Sequence, residues 1–191
     1  MKIIECVPNF SEGVDLAKIK EITDVIESVN NIALLDVDPG ADTNRTVVTF
    51  VGPPEAVVDA AFLAIKKASE ILNMQIHKGA HARMGATDVC PLVPVSGVTM
   101  EECVLLSVQL AERVGNELGI PVFLYENSAT NSDRVNLANI RSGEYEGMAD
   151  KLKIKKWKPD FGPIALHLTA GATAIGAREF LIAYNINLNS H

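Results

Sequence analysis

Two aliphatic and β-branched runs, "IALLDVD" at 32–38 and "RTVVTFVG" at 45–52, are separated only by the Gly/Pro/Asp-rich "PGADTN". Strands joined this way read as a loose hairpin, because Gly, Pro and Asp supply turn geometry. The rest of the chain must fit around that hairpin. "KIIECV" (2–7) reads as a buried strand ending at Pro8 and the polar turn "NFSEG". From Asp15, Ile19, Ile22, Ile26 and Val29 recur at helical spacing, with the charged residues largely elsewhere on the wheel. Pro53 and Pro54 suit the first turn of a helix over "PEAVVDAAFLAIKKASEIL", where no N–H partner is lost. A third helix is bracketed by a capping-box pair, Thr99 and Glu102, and by Gly119 at its stop. "IPVFLYEN" (120–127) reads as a strand and 131–152 as short helical turns with polar faces. The end, 163–188, reads as two apolar strands around a Gly/Ala-rich loop. Within 76–95, Gly79, Gly85 and Pro91 argue against a long regular element. Hairpin strands interleaved with single helices predict an α+β fold: a ferredoxin-like sandwich, its mixed β-sheet covered by helices on one face.

Composition narrows the function classes. Hydrophobic residues at 48% and charged residues at 21% place the chain among ordinary globular domains and exclude a disordered or fibrous one. Acidic residues outnumber basic ones 24 to 17, and the one basic block is "KLKIKKWK" at 151–158, so no nucleic-acid partner is expected. A net charge of -7 also means that an anionic ligand needs a local cluster of arginines or backbone N–H groups. Cys6, Cys90 and Cys103 are odd in number and far apart, which fits neither a disulfide framework nor a CxxC metal site and favours a reducing compartment. The opening "MKIIECVPNFSEG" lacks the apolar core of a signal peptide, and no apolar run approaches the roughly 18 residues that span a bilayer. A cytoplasmic location with no membrane partner is the expectation.

The chemistry concentrates in "IHKGAHARMGATDVCPLVPV" (76–95). His77 and His81 lie four apart, a spacing that chelates zinc on a helix. Lys78 stands where a zincin needs glutamate, Gly79 disfavours the helix, and no third ligand is near, so no metal is expected. A histidine in a loop is either a hydrogen-bonded rim residue or a catalyst. The density of polar groups around His81 favours the second reading. Cys90 reads as packing, since nothing places a base beside it.

The same loop resembles the signature loop of the glutamate formiminotransferases, enzymes of histidine breakdown whose animal member is fused to a cyclodeaminase. "CVPNFSEG" (6–13), "LLDVDPGADTNRTVVTFVGPPE" (34–55), "IRSGEYEGM" (140–148), "PDFGP" (159–163) and "GATAIGAREFLIAYNINL" (171–188) resemble that family in the same order. The resemblance implies transfer of the formimino group of N-formimino-L-glutamate to N5 of tetrahydrofolate, the co-substrate. It also implies that 1–180 is the N-terminal subdomain and that 181–191 begins the connection to a C-terminal subdomain, which this sequence does not contain. A homodimer, or association with such a C-terminal subdomain, is expected to complete the molecule.

By that resemblance His81 carries the proton from the attacking to the leaving amine, a task suited to an imidazole of pKa about 6.5. Asp38 is implied as a site carboxylate that fixes the His81 tautomer or stabilises a cationic formimino group; its other reading is a turn aspartate beside Pro39 and Gly40. Asp36, on the same strand face, is a weaker substitute. Asn44, Arg45, Arg83 and Arg178 are the expected substrate-binding residues, the arginines meeting carboxylates. The stretch Gly162, Pro163, Ile164, Ala165, Leu166, His167, Leu168, Thr169, Ala170 and Gly171 aligns with the family's folate-contacting segment, although "LHLTAG" stands where many relatives have a proline and an aromatic residue. His77 is expected to order the loop. Three alternatives remain: a non-catalytic folate-binding or assembly module, a formyl-transferring relative, and a metal-dependent hydrolase using both histidines.

Overall fold

The computed structural model describes residues 1–181. Its elements in chain order are β1 (Ile3–Cys6), β2 (Asn9–Phe10), α1 (Leu16–Glu27), β3 (Ala33–Gly40), β4 (Arg45–Gly52), α2 (Pro54–Ile71), β5 (Thr87–Ser96), α3 (Met100–Leu118), β6 (Val122–Leu124), α4 (Leu137–Arg141), α5 (Glu144–Lys151) and β7 (Thr173–Ala177). Local chemistry sets the helix ends. Asp15 caps α1 by accepting from the backbone N–H groups of Ala17 and Lys18, and Thr99 and Glu102 form the capping box of α3. Gly119 closes α3 in the left-handed region, at φ 65°.

The strands form one mixed sheet. β3 and β4 make the expected hairpin, with Asp38 opposite Val47 and Asp36 opposite Thr49. β1 and β2 lie in succession between β4 and β5, antiparallel to both. β5, β7 and β6 then run parallel. An α+β architecture with a mixed sheet results, as the element order predicts.

Alternation along the strands separates two faces. Ile4, Cys6, Phe10, Val48, Phe50, Cys90, Leu92 and Ile175 turn to one side and pack with α1, α2 and α3 through Ile22, Ile26, Val57, Ala61, Ile65, Leu110 and Val114. Val89, Phe123 and Ala174 turn to the other side and pack with Ile140 of α4, Met148 of α5, Leu152 and Trp157. The long helices thus share one face, and a smaller layer of short helices covers the β5–β7–β6 end of the other.

Two expectations about strands are corrected. Pro91 does not prevent a long element: β5 runs for 10 residues. Cys6 of β1 pairs with Leu92 and Asn9 of β2 with Val89, so Pro91, which has no N–H, falls opposite the break between β1 and β2. The Gly/Ala-rich stretch near the end is itself a strand, β7, rather than a loop between two strands. Gly176 permits it, because a Cβ there would lie 2.3 Å from the Tyr125 carbonyl oxygen. The first of the two expected terminal strands, the apolar 163–168, forms no strand, only an isolated bridge between His167 and Gly171. Of the second, and of the connection expected at 181–191, everything from residue 182 onward lies outside the described residues.

Candidate active site

Where the short-helix layer ends, the open sheet face carries a cavity of about 610 Å³. Its floor is Val7, Asn9, Arg45, Val47, Val89 and Pro91, and its wall is Tyr125, Glu126, Val135, Asn136, Leu137, Arg141, Arg178 and Leu181. The size is that of a small-molecule site. Against the chain's net charge of -7 the cavity is locally cationic: Arg45, Arg141 and Arg178 line it with one carboxylate, Glu126. Tyr125 is buried, and that burial pushes its phenol well above the usual range, so it stays a neutral hydrogen-bonding group.

The histidine loop is fastened to the β3–β4 turn beside this cavity. The Ala80 N–H donates to the Asp42 carbonyl at 3.2 Å, and the Asn44 side-chain amide donates to the Lys78 carbonyl at 2.7 Å. Gly79 makes the close approach possible, since a Cβ there would sit 2.3 Å from the Thr43 carbonyl oxygen. His77 completes the fastening: its Nε2–H donates to the Asn44 carbonyl at 2.9 Å, and its Nδ1 accepts from Arg83 Nε at 3.4 Å. That fixes His77 in the Nε2–H tautomer and in the ordering role expected of it.

His81 is half-buried, and its Nε2 accepts a hydrogen bond from Arg45 Nη1 at 3.1 Å. The same Nη1 donates to Asn9 Oδ1 at 2.8 Å. Burial first, then the Arg45 and Arg141 charges, hold the His81 pKa below its ordinary value of 6.5. Two buried atoms at this junction, His81 Nδ1 and Arg45 Nε, have no hydrogen-bond partner. Buried polar atoms normally have a partner, so both are exceptions at this junction.

The remaining expected residues divide sharply. Asp38 is exposed on the cavity face of the sheet, opposite Val47, and its charge acts on Arg45; it forms no hydrogen bond with His81. Asp36 lies on the same face, opposite Thr49. Arg178 lines the cavity with its backbone N–H held by the Leu92 carbonyl at 3.0 Å. Asn44 is a fastener: its Oδ1 accepts from the Gly13 N–H at 2.9 Å and its amide is on Lys78. Arg83 is also turned away from the cavity. Only 6% exposed, it donates to both oxygens of Glu146 at 2.8 and 2.7 Å and to Glu144 at 2.7 Å, holding the loop to α5. Neither lines this cavity, and the polar atoms of both are engaged by the fold.

The 162–171 segment lines neither this cavity nor the smaller polar one at Lys78, Arg83 and Glu146. It crosses the 84–86 backbone, with the Ala86 N–H on the Ala170 carbonyl at 2.8 Å and the Ala172 N–H on Met84 at 3.0 Å. Ile164 and Leu168 stand 51% and 65% exposed on it, and His167 Nδ1 accepts from the Ala170 N–H. Among the described residues no group of three His, Cys, Asp or Glu is placed to hold a metal. Nor is any helix among them long and apolar enough to cross a membrane.

Sequence reasoning did not single out Arg141 and Asp88. Asp88 is 1% exposed, receives Arg141 Nε at 2.7 Å and accepts the Met84 N–H at 2.9 Å, so it anchors α4 to β5 and aims Arg141 at the cavity. The signal was present in the two sequence blocks that hold them, 76–95 and 140–148, but their pairing spans 53 positions.

Residues 3–178 match the family described as "Formiminotransferase domain, N-terminal subdomain". A glutamate formimidoyltransferase of Streptococcus pyogenes is 50% identical over 99% of this chain and 63% of its own length. One from Thermoplasma acidophilum is 51% identical over 100% of this chain and 63% of its own. A formimidoyltransferase-cyclodeaminase of Dictyostelium discoideum is 54% identical over 98% of this chain and 35% of its own. The chain therefore spans between about a third and two thirds of the length of the relatives it matches.

Proposed function

Because the chain belongs to the formiminotransferase N-terminal subdomain family, we propose that it contributes the proton-transfer half of a glutamate formimidoyltransferase, moving the formimino group of N-formimino-L-glutamate to N5 of tetrahydrofolate. The observation that carries this reading is the junction of His81 with Arg45 at the edge of a cavity lined by three arginines. Arg45, Arg141 and Arg178 suit the two carboxylates of a glutamate derivative, which an acidic protein must meet locally. His81, neutral near pH 7, takes the proton that the attacking amine loses and returns it to the departing glutamate amine. Asp38, across from Val47 on the same face of the sheet, is the carboxylate that would steady a cationic formimino carbon.

Tetrahydrofolate is assigned to the 162–171 segment, where Ile164 and Leu168 offer apolar contact to a flat ring and the glycines allow close backbone approach. Residues 1–180 then form the N-terminal subdomain and 181–191 begin the connection onward. A second subdomain, in the same polypeptide or a paired one, would bring the folate segment and the cavity under one roof; a homodimer is the other arrangement. The buried, reduced thiols Cys6, Cys90 and Cys103 accord with a cytoplasmic setting. A folate-binding or assembly module is the second reading, favoured by the separation of 162–171 from the cavity.

The test is tetrahydrofolate-dependent release of glutamate from N-formiminoglutamate, on this chain and on His81→Ala, each alone and mixed with the C-terminal portion of a relative. Release that the substitution abolishes supports the transferase. Folate binding with no release in any mixture leaves the binding module, and release from N-formylglutamate in preference to the formimino compound would assign the formyl reaction.

A further inference from the structure

We propose that Arg45 is a latch on His81: its guanidinium engages the Nε2 lone pair of the imidazole, and a carboxylate binding in the cavity draws the guanidinium away and frees that nitrogen to take a proton. The inference rests on the reading of His81 as the proton carrier and adds the residue that decides when it can act.

An arginine only donates hydrogen bonds, so the 3.1 Å contact from Arg45 Nη1 requires a lone pair at His81 Nε2. The proton of the neutral ring then sits on Nδ1, which is buried without an acceptor. In this arrangement neither nitrogen can exchange a proton with a substrate. Both side-chain hydrogen bonds of Arg45 leave from Nη1, to Asn9 Oδ1 at 2.8 Å and to His81, whereas its Nε is buried and unpartnered. A carboxylate on that edge would form two charge-assisted bonds, each roughly twice as strong as a neutral one, and because the edge is buried the guanidinium must turn to present it to the cavity, which takes Nη1 off the imidazole.

The charges around the ring act in the same sense. Arg45 reaches His81 from β4 and Arg141 from the end of α4, both disfavouring a charged imidazole, while Asp88 on β5 favours it and Asp38 on β3 acts on Arg45. A bound carboxylate offsets the two arginines and removes one from contact. The base is thereby released only when an anionic substrate is present.

The experiment follows the His81 imidazole by nitrogen NMR in the labelled 191-residue chain, assigned by loss of its signal in His81→Gln. The probe is glutarate, a dicarboxylate that cannot react. Saturating glutarate is expected to raise the His81 pKa by roughly one unit, and sodium chloride at equal ionic strength is not. Arg45→Gln is expected to raise it without glutarate and to abolish the response; Arg45→Lys, which keeps the charge but not the fork, serves if Arg45→Gln does not fold. A His81 pKa that glutarate leaves in place, or that keeps its wild-type value in the Arg45 variants, overturns the latch. No turnover is needed, so absence of glutamate release in every mixture refutes the functional reading and leaves this measurement decisive for the latch.

Discussion

Replacing Asp88 by asparagine isolates the pair that aims Arg141. Asparagine Oδ1 can still accept the Met84 N–H, now at 2.9 Å, so the backbone bond survives and the charge alone is lost. What remains is a guanidinium beside Arg45 and His81 with no carboxylate to neutralise it. Breaking a buried ion pair from one side typically costs about 3–5 kcal/mol. Arg141 has a side chain 17% exposed toward the cavity and recovers part of its hydration, which sets the expectation at the low end, about 3 kcal/mol. For a chain of this size that corresponds to a fall in Tm of roughly 6–12 °C. Urea unfolding of Asp88→Asn, Arg141→Met and the double variant gives the coupling directly. Because the double variant leaves no unpaired charge, it is expected to be more stable than Asp88→Asn alone. A coupling near zero, or a loss below about 1 kcal/mol in Asp88→Asn, would refute the claim that this pair fastens α4 to the sheet.

The Arg83 fork pulls the Glu146 carboxyl down to about 2. A depressed acid stabilises the fold above its unfolded value and loses that contribution as pH falls through the folded one, so acid unfolding of the wild-type chain between pH 4.5 and 2 should include a component that Arg83→Met lacks; identical acid-unfolding curves would refute this. Gly79→Ala should cost about 1–3 kcal/mol by forcing Thr43 and the histidine loop apart, measured by urea unfolding, with wild-type stability the refuting result. In the free chain the His81 pKa lies below 6.5 because of burial and two arginines, so kcat/KM for transfer should be flat above that pH and fall as pH drops through a lower midpoint. In His81→Ala any residual rate should lack that limb, and a midpoint above 6.5 would contradict the site's electrostatics.

Helix boundaries were readable because caps act within a turn: Asp15 reaches the N–H groups of Ala17 and Lys18, and Thr99 and Glu102 satisfy each other. The hairpin was readable for the same reason. β5 was not, since Pro91 is tolerated only where β1 gives way to β2, some 84 positions earlier in the chain. The Gly/Ala composition of β7 concealed a strand whose small residues serve the approach of Tyr125. His81 was legible in kind and its partner was not: nothing local to "HARMG" indicates that Arg45 would reach its Nε2.

The arginines show how far sequence reasoning carries. Arg45, Arg83 and Arg178 were equivalent cations within family-like blocks, and the fold separates them by what each finds nearby. Arg83 meets two carboxylates of α5 and becomes a fastener with 6% exposure. Arg134, bound to Asp160 and to the carbonyls of Lys156 and Lys158, is another. Arg45 meets only Asn9 and His81, both neutral, so its charge remains available to the cavity. Arg141 is held by Asp88 from behind and keeps a cationic face forward. An acidic protein thus builds a cationic cavity without a cationic surface, by giving carboxylate partners to the arginines that hold the scaffold and withholding them from the one that touches the base.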